Sequence, residues 1–238
     1  MKEKATYHHP QLRKALLKAA LVELKQHGAA DLSLRRIAAL ANVSHAAPYR
    51  HFRNKQEILA ALVWDAQEAF TTALRTARES AGAPAARLFA IGEAYLRFAR
   101  DNPERLTLMF SEAGIAAMNC YPVELTADAL QRYNSFGVLE DTVKECQEAG
   151  ILSGAGDSGA LSILVWSTVH GLSVIEREGF LASLGSQRGL GVEEAHGLVM
   201  KEFRKLVERG APAAQRERGA RTTTRRPRPA PPSDTPPA

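Results

Sequence analysis

The stretch Ser33–Lys55, SLRRIAALANVSHAAPYRHFRNK, constrains the fold more than any other part of the chain. Leu34, Ile37, Ala38 and Ala41 recur at helical spacing, which gives a short first helix one apolar face. Ser33 stands where that helix needs an N-cap, and Asn42 where the chain must turn. Asparagine tolerates a left-handed backbone better than other non-glycine residues, so Asn42 can end the helix. Val43 is placed to plug the angle between helices. Ser44 is a good N-cap for a second helix, predicted from His45 to about Phe52. Two short helices across such a turn follow the helix-turn-helix plan, whose second helix enters the DNA major groove. Pro48 does not exclude this. With Ser44 as cap it falls in the first turn, whereas a proline in the helix interior would cost about 3 kcal/mol.

Charge divides the chain. Residues 1–56 carry eleven Lys or Arg against Glu3, Glu23 and Asp31. Residues 57–209 carry fourteen basic against twenty-one acidic residues, and the remainder six Arg against Glu217 and Asp234. The net +5 is thus a basic head, an acidic body and a basic tail. That is the pattern of a DNA-binding module joined to a different kind of domain. We place the boundaries at 1–56, 57–209 and 210–238.

Almost nothing alternates with period two, so the expected class is all-α. Leu12, Leu16, Ala20 and Leu24 line one face of a helix from Pro10 to His27, closed by Gly28. Asn54 can cap a long helix from Lys55 to Ser80. A further helix reaches Asn102, and a short one from Pro103 ends near Phe110. Residues 114–122 read as a loop, and helical periodicity resumes from about Pro122 to Ala149. Asp157 or Ser158 can cap an apolar helix to about Glu178. A glycine-containing link leads to an amphipathic helix, Val192 to Arg209, with Leu198, Val199, Phe203 and Leu206 on one side. After Gly210 the Arg/Thr/Pro-rich tail has no large apolar residue, so disorder is expected there. No run of eighteen apolar residues and no apolar leader are present, so a cytoplasmic protein is expected, with Cys120 and Cys146 as reduced thiols. Neither cysteine has metal-ligand spacing.

The segment SLRRIAALANVSHAAPYRHFRNKQEIL, with VS-x-x-x-x-Y-x-H-F-x-N-K after a preceding I-A, resembles the tetracycline-repressor (TetR) family. The opening TYHH-P-QLRKALLKAAL is similar to one branch of it. NPERLTLMF and W-S-T-V-H-G at Trp166–Gly171 resemble the branch whose ligand domain carries a Trp/His-Gly motif. The resemblance implies a three-helix DNA head on a helical regulatory domain and a homodimer paired through the last two helices. It also implies repression relieved by a small molecule, here of unknown identity.

On the same resemblance, Tyr49, His51 and Lys55 match positions that touch phosphates, and their chemistry suits that. Tyr49 can equally pack in the head. Ser33 can offer backbone amides to a phosphate or simply cap. Ser44, His45, Ala46 and Ala47 lie at the recognition-helix N-terminus, where base edges are read; His45 can donate, and alanine methyls suit thymine methyls. Arg35 and Arg50 suit guanine or phosphate equally. Arg36, Arg53, His8 and His9 can add electrostatic affinity or face solvent.

In the C-terminal half Trp166 and His170 are i, i+4 and share a face. Tyr95, Phe110 and Tyr133, with these two, are candidates for an effector pocket, against the alternative of ordinary core with a satisfied buried histidine. Phe98, Met109 and Phe136 carry the same ambiguity. No catalytic constellation, glycine-rich phosphate loop or HExxH metal helix is present, so neither an enzyme nor a cofactor or metal site is expected. The competing function is an architectural or partner-recruiting DNA-binding protein that uses the arginine tail and needs no effector.

Overall fold

The first helix, α1 (His9–His27), buries Leu16, Ala20 and Leu24 along the face its periodicity marks, and ends as Gly28 turns to φ 73°. The computed structural model describes residues 9–122, 124, 126–152 and 156–209. Among them are eleven α-helices, one short 3-10 helix and no strand. His8 and the 210–238 tail lie outside the described residues, as does the side chain of His9.

The second helix, α2 (Leu34–Leu40), begins at Ser33, whose hydroxyl faces the Arg36 amide at 3.5 Å and whose carbonyl accepts from Ile37 at 2.9 Å. It ends in a Schellman turn. The Val43 N–H donates to the Ala38 carbonyl and the Asn42 N–H to that of Ala39, both at 3.0 Å. Asn42 takes φ 54°, the one positive value at a non-glycine among the described residues.

The next element departs from expectation. Instead of an α-helix over 45–52 the chain makes a turn at 45–47 and a 3-10 helix, Pro48–Arg50, which we call the recognition helix. Proline has no N–H to close an α-type bond onto Ser44, and the segment winds instead through i to i+3 bonds. The Ala47, Arg50 and His51 amides donate to Ser44, Ala47 and Pro48 at 2.9, 3.2 and 3.0 Å. Pro48 occupies the first 3-10 position, where its missing donor costs nothing.

Helix α3 (Lys55–Ser80) is the axis of the molecule, crossing the boundary expected at 56/57. Its cap, Asn54, accepts from the Glu57 amide at 3.0 Å, while the Glu57 carboxylate accepts from the Arg53 amide at 2.6 Å. Around it pack α4 (Pro84–Asp101), α5 (Pro103–Phe110), α6 (Glu112–Cys120), α7 (Ala127–Tyr133) and α8 (Ser135–Glu148). Helix α9 (Ser158–Arg177), capped by Asp157 at 2.7 Å, lies on α4 and α8. Then follow α10 (Phe180–Ser186) and α11 (Val192–Arg209).

Three segments correct the sequence reading. Residues 112–120, expected mostly as loop, form α6, because Ser111 caps it at Gly114 (3.0 Å) and its inward residues are small. A Cβ on Gly114 would lie 1.9 Å from the Leu108 carbonyl oxygen, so only glycine allows that approach. The expected helix from Pro122 to Ala149 is divided at Asn134, whose side chain caps α8 through the Gly137 amide at 2.9 Å. The link after α9 contains α10.

One buried cluster runs from Leu16 to Val207 and joins the head to the body. Arg78 of α3 and Arg87 of α4 both hold Glu145 of α8, at 2.5 and 3.0 Å. Although α9 is long and apolar enough to cross a membrane, Ser162, Val169 and Leu172 fix it in the bundle. Its Ile163 and Leu164 remain exposed, as do Leu198, Val199 and Leu206 of α11. The amphipathic stripe read from α11 therefore exists, but in the single chain most of it faces outward.

Candidate nucleic-acid interface and buried cavity

The recognition helix is held by what it buries. Phe52 is 1% exposed and sits under Arg13 of α1, whose guanidinium carbon lies 5.2 Å from the ring centre. Ala47 and Pro48 also point inward. Ala47, a base-edge candidate from the sequence, is 8% exposed in the turn that precedes the 3-10 helix. His45, Ala46, Tyr49 and Arg50 face outward with Ser44, and Arg35 projects from the neighbouring α2. Tyr49 is 60% exposed, which excludes the reading that its ring is core. His51 is half-buried.

Two basic residues are engaged within the head. Arg36 Nε lies 2.5 Å from the carboxylate of Glu23, which is 1% exposed, and the same guanidinium reaches the Asp31 carbonyl. A carboxylate so buried needs a partner, which is the use the head makes of Arg36. Lys55 Nζ donates to the Ala30 carbonyl, tying the start of α3 to the α1–α2 loop. This is a structural bond at a residue singled out for phosphate.

At the start of α3, Asn54 Nδ2 donates to the Tyr121 hydroxyl at 2.9 Å, and Trp64 Nε1 donates to the Tyr121 carbonyl at 3.1 Å. The sequence offered no signal for this link, which spans 67 residues of chain.

Farther along α3, Gln67, Phe70 and Leu74 form one wall of a cavity of about 200 Å³. Helix α4 adds Phe89, Ile91 and Tyr95, α5 adds Phe110, and α8 adds Ser135, Phe136 and Leu139. Val165, Trp166 and Val169 of α9 and Met200 and Phe203 of α11 complete it. Of the residues proposed for a pocket, Tyr95, Phe110 and Trp166 line it. His170 stands behind them, its ring 5.0 Å from Phe110 and 5.5 Å from Trp166, with Nδ1 2.7 Å from the Tyr95 hydroxyl. Burial pushes the Tyr95 phenol up to about 12, so it stays protonated in its hydrogen bond with His170. Burial, aided by Arg177, holds His170 below the usual imidazole range and therefore neutral at pH 7. Tyr133 is not among the lining residues: it packs edge-on against Trp64, with centroids 5.1 Å apart. Phe98 and Met109 are core and Phe136 lines the cavity. Cys146 is buried, its thiol pushed up to about 11 by burial and Glu145, whereas Cys120 is exposed.

An exposed helix-turn-helix edge, followed by a long helix that also walls an apolar cavity, is the architecture of a helical DNA-binding regulator. Comparison with known proteins names the family. Residues 16–62 match the family of bacterial regulatory proteins called tetR, and residues 88–196 match the tetracyclin repressor-like C-terminal domain. The chain belongs to the TetR family of transcriptional regulators. A solved structure of a Rhodococcus sp. RHA1 protein of unknown function is 32% identical, over 87% of this chain and 99% of that one, with TM-score 0.67. The fatty acid degradation regulator FadR from Bacillus halodurans is 17% identical over 84% and 97%, TM-score 0.59. The TetR family transcriptional regulator PfmR from Thermus thermophilus is 20% identical over 82% and 97%, TM-score 0.56. No relative among curated proteins matches.

Proposed function

We propose that the chain is a cytoplasmic, homodimeric repressor that binds a pseudo-palindromic operator and leaves it when a small molecule enters the cavity. The observation that carries this is the double use of α3: its cap, Asn54, follows the recognition helix by four residues, and Gln67, Phe70 and Leu74 farther along wall the cavity. A ligand that displaces that wall shifts the helix on which the head is built. Residues 1–56 serve DNA, and 57–209 serve effector binding and dimerisation.

At the DNA, His45 and Ala46 read base edges, with Ser44 at the edge of the same turn. Tyr49, Arg50 and His51 anchor to phosphates, with Ser33 offering the start of α2, and Arg35 reaches either a base or the backbone. Lys55 contacts phosphate once it is released from Ala30. For the dimer, exposed Ile163 and Leu164 on α9 and Leu198, Val199 and Leu206 on α11 supply apolar faces of the kind that bury against a second copy. The cavity favours the effector-responsive reading over an architectural protein, which has no use for one.

Selection of bound sequences from random double-stranded DNA, repeated with a metabolite panel, tests the proposal. Recovery of an inverted repeat from which some metabolite releases the protein is expected. Binding without sequence preference would contradict it.

A further inference from the structure

Among the described residues lining the cavity none is charged, and the hydrogen-bonding groups are those of Gln67 and Ser135, the Tyr95 hydroxyl and the Trp166 indole N–H. The Tyr95 hydroxyl is already engaged by His170, and the Trp166 indole is bonded to the same tyrosine. Between α8 and α3 Ser135 Oγ donates to Gln67 Oε1 at 3.4 Å, a long bond that leaves the Gln67 amide N–H₂ with no partner among the described residues. The remaining surface is largely aromatic, with Phe70, Phe89, Phe110, Trp166 and Phe203 around one space. Such a lining repels ionised groups, because a buried carboxylate or ammonium without a counter-charge loses its hydration and gains nothing in return. Volume narrows the choice further. An apolar protein cavity of about 150 Å³ takes benzene, so about 200 Å³ has room for a ring with a short substituent and not for a long acyl chain.

We infer that the cavity selects an uncharged aromatic molecule of about ten non-hydrogen atoms, carrying one hydrogen-bond acceptor that meets the Gln67 amide beside Ser135. This rests on the effector reading above and sets the ligand apart from ionised fatty acids.

Calorimetric titration of the full chain, without DNA, tests it with four probes: 3-phenylpropan-1-ol, 3-phenylpropanoate, propylbenzene and decanoate. Saturable binding of the alcohol is expected at neutral pH, with both carboxylates at least a hundredfold weaker. The Gln67→Leu variant, which keeps volume and apolarity, should weaken the alcohol about tenfold and leave propylbenzene unchanged. Carboxylates binding as well as the alcohol, no saturable binding of the alcohol, or an unaltered alcohol affinity in Q67L would each overturn the inference. The outcomes separate from the effector reading. Release from operator DNA by a charged metabolite sustains that reading and sinks this one, whereas tight alcohol binding that leaves DNA affinity unmoved does the reverse.

Discussion

The Asn54 side-chain amide donates to the Tyr121 hydroxyl at 2.9 Å, so the residue that caps α3 just after the recognition helix is also bonded just past the end of α6. Asn54 thereby reads two things at once, the start of the helix that carries the cavity wall and the position of the helical body against the head. Tyr121 is fixed on its far side by Trp64 through its backbone carbonyl, an anchor independent of the hydroxyl.

Tyr121→Phe removes the bond to Asn54 and keeps both the α3 cap and the Trp64 anchor. Stability should fall by no more than about 1 kcal/mol, as for one exposed neutral hydrogen bond. The effector concentration needed for half-release from DNA should rise several-fold. Fluorescence anisotropy of labelled operator, titrated with effector, measures this against the melting temperature.

Arg36→Met leaves the Glu23 carboxylate buried without its close partner. Because Arg36 is 47% exposed, the cost is discounted to about 1–3 kcal/mol, below that of a fully buried pair. Glu23→Gln should cost less, since its amide oxygen still accepts from Arg36. Chemical denaturation ranks the two; equal loss in both would show that the charge of Glu23 is not what Arg36 compensates.

His170 makes stability depend on pH in a known direction. Its folded pKa lies below the ordinary imidazole value, chiefly through burial, so the unfolded chain binds the proton more readily. The neutral ring's contribution is therefore complete above about pH 6.5 and lost as pH falls below it toward the folded value. His170→Asn should flatten the fall in melting temperature between about pH 7 and 5. A variant that parallels the native profile would assign the acid sensitivity to other groups.

At the DNA surface, base reading and anchoring separate by their salt and sequence dependence. His45→Ala should cost about 1–3 kcal/mol on the preferred site and relax one position of it. Arg50→Ala, if Arg50 holds a phosphate, should weaken all sequences alike and lower the log-log salt slope by about 1. Titrations of the selected and a scrambled duplex at several salt concentrations resolve both.

Leu164 and Leu206 are each 66% exposed, on α9 and α11. Leu206→Glu should leave the fold intact and shift the chain from twice its 25.9 kDa mass to one copy in sedimentation equilibrium. Persistence of the larger species would place the dimer face elsewhere.

Local rules carried much of this structure into plain view. Asn42 needed φ 54°, and its residue type announced the turn; Ser33, Asn54 and Asp157 announced helix starts. What stayed hidden depends on partners far apart in the chain or on small residues. Helix α6 buries Gly114 and Ala117, which make no apolar stripe, and the turn-and-3-10 form at 45–50 reflects the missing Pro48 donor more than any propensity. Tyr133 and Phe110 look alike in sequence, and only the packing of Tyr133 on Trp64 and of Phe110 on Trp166 separates a residue outside the cavity from one that lines it. The exposure of Leu206 is unreadable from an amphipathic pattern, which marks an apolar face without saying what covers it.

The most direct test of the account is the dissociation constant for the selected operator, measured with the cavity empty and with it saturated as judged by calorimetry. Coupling through α3 predicts a loss of affinity of about ten- to a hundredfold, corresponding to roughly 1–3 kcal/mol between the two sites. The same dissociation constant in both states would contradict it.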